Sequence, residues 1–280
     1  CAMLWLPHFL KRKIVVTVHG LDWQRAKWGN FASFVIKFGE RMAAKYADEI
    51  IVLSENVKQY FAETYNRTTI YIPNGITRPK PQGETVIREK YDLRKDGYFL
   101  FLARIVPEKG LHYLIEAFSG LETDKKLVIA GGSSQAYGYM EQIHRMASKD
   151  ERILMTDFVQ GQVLEELYAN AYAFVLPSDV EGMALTLLEA MSYGACCLVS
   201  DIRENTEVVE DKALTFKKGD VKDLRKQLVW LLEHPGEVHR MGEESVDYIC
   251  GKHDWDDVTK RTLAVYGRAA GEEAGCTKQG

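Results

Sequence analysis

The sequence predicts an α/β fold built on parallel sheets, and three observations carry the prediction. Short, near-continuous apolar runs alternate with stretches of helical periodicity along most of the chain. Runs of that kind are strands buried on both faces, and the helices between them are the crossovers that parallel pairing requires. The residues with chemistry to offer stand just past those runs, at the carboxyl ends of the strands, where open α/β sheets bind ligands.

The elements follow in order. Residues 14–18 (IVVTV) read as a strand, residues 31–47 as an amphipathic helix and residues 49–53 (EIIVL) as a strand. Ser54 is placed to cap a helix running to about Thr64. Residues 69–72 form a short strand closed by Pro73-Asn74-Gly75, a strong turn signal. Residues 76–97 are rich in Pro, Gly and charge, and Pro79, Pro81 and Gly83 mark the best linker, with a short helix at about 86–91. Strands are then expected at 98–102, 126–130, 153–155, 172–177 and 195–200. The intervening helices fall at 110–118, 137–149, 163–171 and after Gly182, the last stopping at Gly194. Helices at about 221–233, 237–249 and 255–268 close the chain, with Asp220 and Asp254 as caps.

This pattern divides the chain into 1–83, 84–252 and 253–280, the last helix returning to the first domain. Three strands before the linker are too few for a doubly wound domain, so the first domain is expected to be incomplete here. The apolar start, Ala2 to Leu10, precedes Lys11-Arg12-Lys13 instead of following a basic stretch. That order is wrong for a signal peptide. It reads as the end of a helix from a longer protein.

Composition narrows the class. The chain has 280 residues, 46% hydrophobic and 27% charged, with a net charge of −4, so no global charge favours nucleic acid. No apolar run has the length of a membrane span. Five cysteines without a C-x-x-C pair argue for free thiols in a reducing compartment.

The most informative stretch runs from Ser178 to Met191. Glu181 lies in a strand-to-helix loop beside Gly182, and Glu189 is expected a few turns along the helix. At helical rise this spacing separates the carboxylates by roughly 12 Å along the axis and about 80° around it. The separation suits an elongated ligand with hydroxyls at both ends, such as a nucleotide sugar. Two solvated glutamates on an amphipathic helix would give the same pattern. Arg104 and Lys109 follow the 98–102 strand, before a helix start, and can together hold a diphosphate. Taken alone, they read more readily as ordinary surface cations. Gly131 and Gly132 follow another strand and permit close backbone approach, or merely turn the chain. His19 follows the first strand. The loop containing Trp23, Arg25, Lys27 and Trp28 fits an acceptor, a membrane surface or simple packing. There is no G-x-G-x-x-G, Walker loop or H-E-x-x-H. Asp254-Trp255-Asp256 reads as helix capping, so no metal is implied.

In this order and register the segments resemble the retaining glycosyltransferases of family 4, with the GT-B fold of two Rossmann-like domains. The residues that carry the resemblance are V-H-G at 18–20, I-P-N-G at 72–75, A-R-I-V-P-E-K-G at 103–110 and A-G-G at 130–132. E-L-Y-A-N-A-Y-A-F-V-L-P-S at 166–178 and the E-G…L-E-A-M-S-Y-G block at 181–194 complete it. The first loop is similar to that of bacterial enzymes building exopolysaccharide or lipopolysaccharide. The resemblance implies that Arg104 and Lys109 bind the donor diphosphate and that Glu189 binds the ribose. It puts Glu181 on sugar hydroxyls, with N–H groups around Gly182, Met183, Ala184 and Leu185 supporting the donor. His19 would serve the acceptor side near the reacting carbon. It implies a nucleotide-sugar donor, a glycan or lipid-linked glycan acceptor, no cofactor or metal, and a cytoplasmic location with peripheral contact at the inner membrane face. Ala103 replaces a common glycine of the family. Two alternatives stay open: a sugar-nucleotide 2-epimerase of related fold, and a truncated sugar-nucleotide-binding domain without transfer.

Overall fold

The computed structural model of the chain describes residues 1–21, 23, 30–132 and 137–271. By its internal contacts the chain forms two units, Cys1–Gly75 with the segment from His253 onward, and Ile76–Lys252.

In the first unit, α1 (Trp5–Phe9) precedes β1 (Val15–Val18), α2 (Asn30–Tyr46), β2 (Glu49–Val52), α3 (Glu55–Tyr65) and β3 (Ile70–Tyr71). The strands form one parallel sheet in the order β1-β2-β3. Ser54 caps α3 as its position predicts, its Oγ accepting from Val57 N at 3.2 Å. Ile50, Val52, Val57 and Phe61 are buried together in its core.

The second unit begins with α4 (Thr85–Tyr91) and β4 (Tyr98–Leu102). A single 3₁₀ turn at Pro107–Lys109 leads into α5 (Leu111–Ser119). Then come β5 (Lys126–Ala130), α6 (Tyr137–Ala147), β6 (Ile153–Asp157), α7 (Gln162–Ala169), β7 (Ala173–Leu176) and α8 (Leu185–Ser192). The unit ends with β8 (Cys196–Ser200), α9 (Arg203–Val209), β9 (Leu214–Phe216), α10 (Val221–Glu233) and α11 (Pro235–Lys252). Its six strands are all parallel, in the order β6-β5-β4-β7-β8-β9. Alternation along each strand fills two cores. Phe99, Phe101, Ile129, Val175 and Leu198 face the α5, α6 and α10 side chains Leu114, Ile143 and Leu228. Tyr98, Leu100, Val128, Phe174 and Val199 face Leu167, Leu188, Met191 and Ile249 of α7, α8 and α11. This two-sided burial is why the strands lack polar alternation.

Helix α12 (Trp255–Ala270) belongs to the first unit. Val258 and Val265 pack with Ile51 and Ile72, and Arg261 Nη2 donates to the carbonyl of Tyr71.

Some expectations need correction. Helix α9 and strand β9 were absent from the predicted order, and β9 is a three-residue edge strand, too short to show a period. Asp220 caps α10, accepting from Lys222 N and Asp223 N, but Asp254 makes no side-chain cap bond at the start of α12. The two units divide at Gly75/Ile76 and Lys252/His253, and residues 76–83, read from the sequence as linker, fall in the second unit. Among the described residues, no helix is long and apolar enough to cross a membrane.

Candidate functional site

Strand order reverses beside β4. The chain runs outward from β4 through β5 to β6, then returns to place β7 on the other side of β4. The loops after β4 and β7 therefore diverge at a topological switch point, the crevice where open α/β sheets bind ligands.

Backbone contacts fix these loops. Asp179 N donates to Glu108 O at 2.8 Å, and Ile105 N to Gly132 O at 3.1 Å. Gly110 lies at φ 65°, where an added Cβ would stand 2.0 Å from the carbonyl oxygen of Pro177. Gly131, at φ 136°, would bring a Cβ to 1.9 Å from Ala103 O. Only glycine fits either place. Among the described residues, nothing lies within 4 Å of a Cβ built on Gly132.

Lys109 and Glu181 meet across the switch point. Lys109 Nζ donates to Glu181 Oε1 at 2.5 Å, with side chains 13% and 6% exposed. An ammonium has three N–H donors, so this pair leaves two for a ligand. Arg104 is exposed, and among the described residues its guanidinium has no partner. After Glu181 the chain passes through buried Gly182 and Ala184 and half-buried Met183 to Leu185, the exposed first residue of α8. The N-cap residue of that helix, Ala184, makes no side-chain cap bond, and none to its first N–H groups is found among the described residues. Its first N–H groups are thus available to an anion.

Glu189 lies on α8, closer to its start than the spacing argument assumes. Residues 181–184 are not helical, so only the step from Leu185 to Glu189 has helical rise, about 6 Å. Its Oε2 accepts from Tyr168 Oη at 2.8 Å, and among the described residues Oε1 has no partner.

Sequence reasoning missed three groups here. Glu108 is 6% exposed, and both its carboxylate oxygens are buried without a partner among the described residues. Asp179 accepts from Tyr113 Oη at 3.3 Å, and His112 Nδ1 lies 2.8 Å from Tyr139 Oη. Burial lowers the His112 pKa and lifts that of Tyr139 to about 12. Tyr168 was visible only as part of a helix motif. Glu108 adjoins Lys109 in sequence, but an acidic residue in a loop is ordinarily solvated, so nothing in the sequence marked its burial.

The remaining predicted residues lie in the first unit. His19 follows β1 and is exposed. Trp23 packs into that unit, its ring 6.4 Å from Tyr60 and under Lys37 Nζ at 3.9 Å. Arg25, Lys27 and Trp28 lie outside the described residues. Among the described residues, no group of three or more His, Cys, Asp or Glu side chains forms a metal-binding cluster.

The profile of the group 1 glycosyl transferases matches residues 84–247, and a domain of unknown function, DUF1972, matches residues 7–77. The chain is 28% identical over 200 residues to O-antigen chain mannosyltransferase B of Escherichia coli, covering 70% of this chain and 51% of that one. It is 27% identical over 263 residues to the GDP-mannose-dependent alpha-(1-6)-phosphatidylinositol monomannoside mannosyltransferase of Mycolicibacterium smegmatis, covering 86% and 65%. Its fold is similar to that of Anabaena HepE crystallised with UDP and glucose, with a TM-score of 0.84 at 15% identity over 95% of this chain and 74% of that one. The architecture is thus the α/β GT-B fold with Rossmann-like units. The profile match covers more than half of the sequence and includes the whole switch-point site, and on that ground the chain belongs to the group 1 glycosyltransferases.

Proposed function

We propose that this chain moves a sugar from a nucleotide-diphosphate donor to an acceptor hydroxyl with retention of configuration, in the synthesis of a cell-surface polysaccharide. The observation that carries the reading is the Lys109–Glu181 contact at the switch point, between the exposed Arg104, whose guanidinium has no partner among the described residues, and the start of α8, whose N-cap Ala184 offers no side-chain bond. A site that gathers two cations and free helix N–H groups suits a diphosphate, and its carboxylates suit sugar hydroxyls. The UDP complex of HepE and the mannosyltransferase relatives support a nucleotide-sugar donor.

In this scheme Arg104 and the two spare N–H donors of Lys109 hold the diphosphate, joined by N–H groups from Gly182 to Leu185 and the backbone at Gly131 and Gly132. Glu181, oriented by Lys109, accepts from sugar hydroxyls, and Glu189 accepts from the ribose. The bond from the anomeric carbon to the diphosphate oxygen breaks as that carbon gains oxocarbenium character. The cations stabilise charge on the departing oxygen. The acceptor hydroxyl attacks on the same face, its proton passing to the leaving phosphate. His19 is assigned to the acceptor side. Fixed cations and helix N–H groups carry the charge, so transfer should persist in a chelator, and activity that disappears with EDTA and returns with Mg²⁺ would refute this part. Epimer formed from donor alone would favour a 2-epimerase instead.

The acceptor is assigned as a glycan or lipid-linked glycan at the inner face of the cell membrane. Helix α2 exposes Phe31, Phe34, Val35 and Phe38, an apolar stripe at helical spacing. Lys11, Arg12, Arg41 and Lys45 are exposed in the same unit. Apolar and basic surface together suit an anionic bilayer.

Calorimetric titration with UDP, GDP, dTDP and ADP without metal tests the donor reading. Saturable binding of one nucleotide, weakened by Lys109→Ala, is expected. Folded protein that binds none of them would overturn it.

A further inference from the structure

The donor side contains a buried group that no part of the scheme above uses. Tyr168 is 1% exposed on α7. Its ring lies 6.1 Å from Phe174 and stacks on Tyr193 at 5.6 Å and 13°. Phenylalanine would fill the same space, so the packing does not need the hydroxyl. That hydroxyl instead points at α8 and donates to Glu189 Oε2. Burial, reinforced by the negative charge of Glu189, raises the Tyr168 pKa well above its ordinary value. The phenol therefore stays protonated and acts as a fixed donor.

A glutamate on a helix surface ordinarily samples several rotamers. Here a rigid, deeply buried donor holds one carboxylate oxygen. Two oxygens offer about four lone-pair sites, and Tyr168 takes one of them on Oε2. Among the described residues nothing occupies the edge bearing Oε1, which two adjacent hydroxyls can use.

We propose that Tyr168 is a positioning residue for the nucleotide ribose: without touching the ligand, it locks the Glu189 carboxylate so that its free edge faces the vicinal diol. The inference rests on the reading of Glu189 as the ribose partner. It adds that selection for a ribose over a deoxygenated sugar depends on a phenol in the core. Because the nucleotide sees only Glu189, the effect of the phenol must vanish with either the diol or the carboxylate.

The test measures dissociation constants by calorimetry for whichever of UDP, GDP and ADP binds, and for its 2′,3′-dideoxy counterpart. The proteins are the wild type, Tyr168→Phe, Glu189→Ala and the double variant, with thermal unfolding as a check on folding. Tyr168→Phe should weaken the ribonucleotide roughly tenfold, as expected for a lost hydrogen bond to a charged group. It should change the dideoxy form less than about twofold. In the Glu189→Ala background the same substitution should have no effect on ribonucleotide affinity. Equal weakening of both nucleotides by Tyr168→Phe would mean a merely structural role and overturn the inference, as would no change in either. A separate result identifies failure of the underlying reading. If wild type binds ribo and dideoxy forms alike, and Glu189→Ala changes neither, Glu189 does not face the ribose. Absence of binding by all three nucleotides would overturn both.

Discussion

Lys109→Ala should injure this protein in two separable ways. Glu181 is 6% exposed, and its Oε1 is held by Lys109 at 2.5 Å. Removing the lysine leaves a carboxylate in a poorly hydrated loop without its counter-charge. Breaking a buried pair from one side costs about 3–5 kcal/mol. Lys109 retains 13% exposure, so water can relax into the gap, and the lower end, about 3 kcal/mol, is the better figure. For a unit of this size that corresponds to a fall in Tm of about 6–12 °C. The second injury is catalytic. Loss of one preorganised donor to developing charge costs about 2.7–4 kcal/mol, or a factor of about 10²–10³ in turnover. The two effects part company in Lys109→Met/Glu181→Gln, which removes both charges. Its Tm should return to within about 3 °C of wild type, a residual cost of about 1 kcal/mol, while turnover stays low. Thermal unfolding and release of nucleoside diphosphate from the donor read the two quantities. Wild-type Tm in Lys109→Ala would show that Glu181 does not depend on the lysine. Turnover within threefold of wild type would remove Lys109 from the diphosphate site.

Three further outcomes are expected. Gly131→Ala would place a Cβ 1.9 Å from Ala103 O and should cost more than about 2 kcal/mol in denaturant unfolding, whereas Gly132→Ala meets nothing within 4 Å among the described residues and should unfold like wild type while binding nucleotide more weakly. Burial raises Tyr139, Tyr172 and Cys196 to about 12, so their contribution to stability is intact below the unfolded pKa values and lost as pH rises through the folded ones. Stability should therefore decline between about pH 9 and 12, and at about pH 8 a thiol reagent should reach Cys196 and Cys197 only after denaturation. Phe34→Glu with Phe38→Glu should reduce co-sedimentation with anionic vesicles severalfold and leave nucleotide affinity unchanged; undiminished vesicle binding would move the membrane contact elsewhere.

Most of the second unit was legible because its strands are buried on both faces and its helices have one apolar stripe. The strand at 98–102 and the helix at 221–233 match their predicted spans. Lys109 and Glu181 were each legible as residues just past a strand. Their contact was not, because it depends on β7 returning to the flank of β4, a tertiary fact that periodicity does not encode. The same holds for the Glu189–Tyr168 bond, since an aromatic residue on the apolar stripe of a helix looks like ordinary core. Strand β9 failed for a simpler reason: Leu214-Thr215-Phe216 is too short to establish alternation and takes its pairing from β8.

The first unit is assembled from distant parts of the chain. Trp255 lies against Gly75, where an added Cβ would meet its ring at 2.5 Å, and α12 supplies Val258 and Val265 to the cluster around Ile51 and Ile72. The second unit is continuous in sequence. During synthesis, the earlier residues must therefore wait, with Ile51 and Ile72 uncovered, until α12 leaves the ribosome. At about 5–20 residues per second, that delay lasts on the order of ten seconds or more, long enough for the later-encoded unit to fold first. The nascent β1–β3 sheet would then be the part most dependent on chaperone protection.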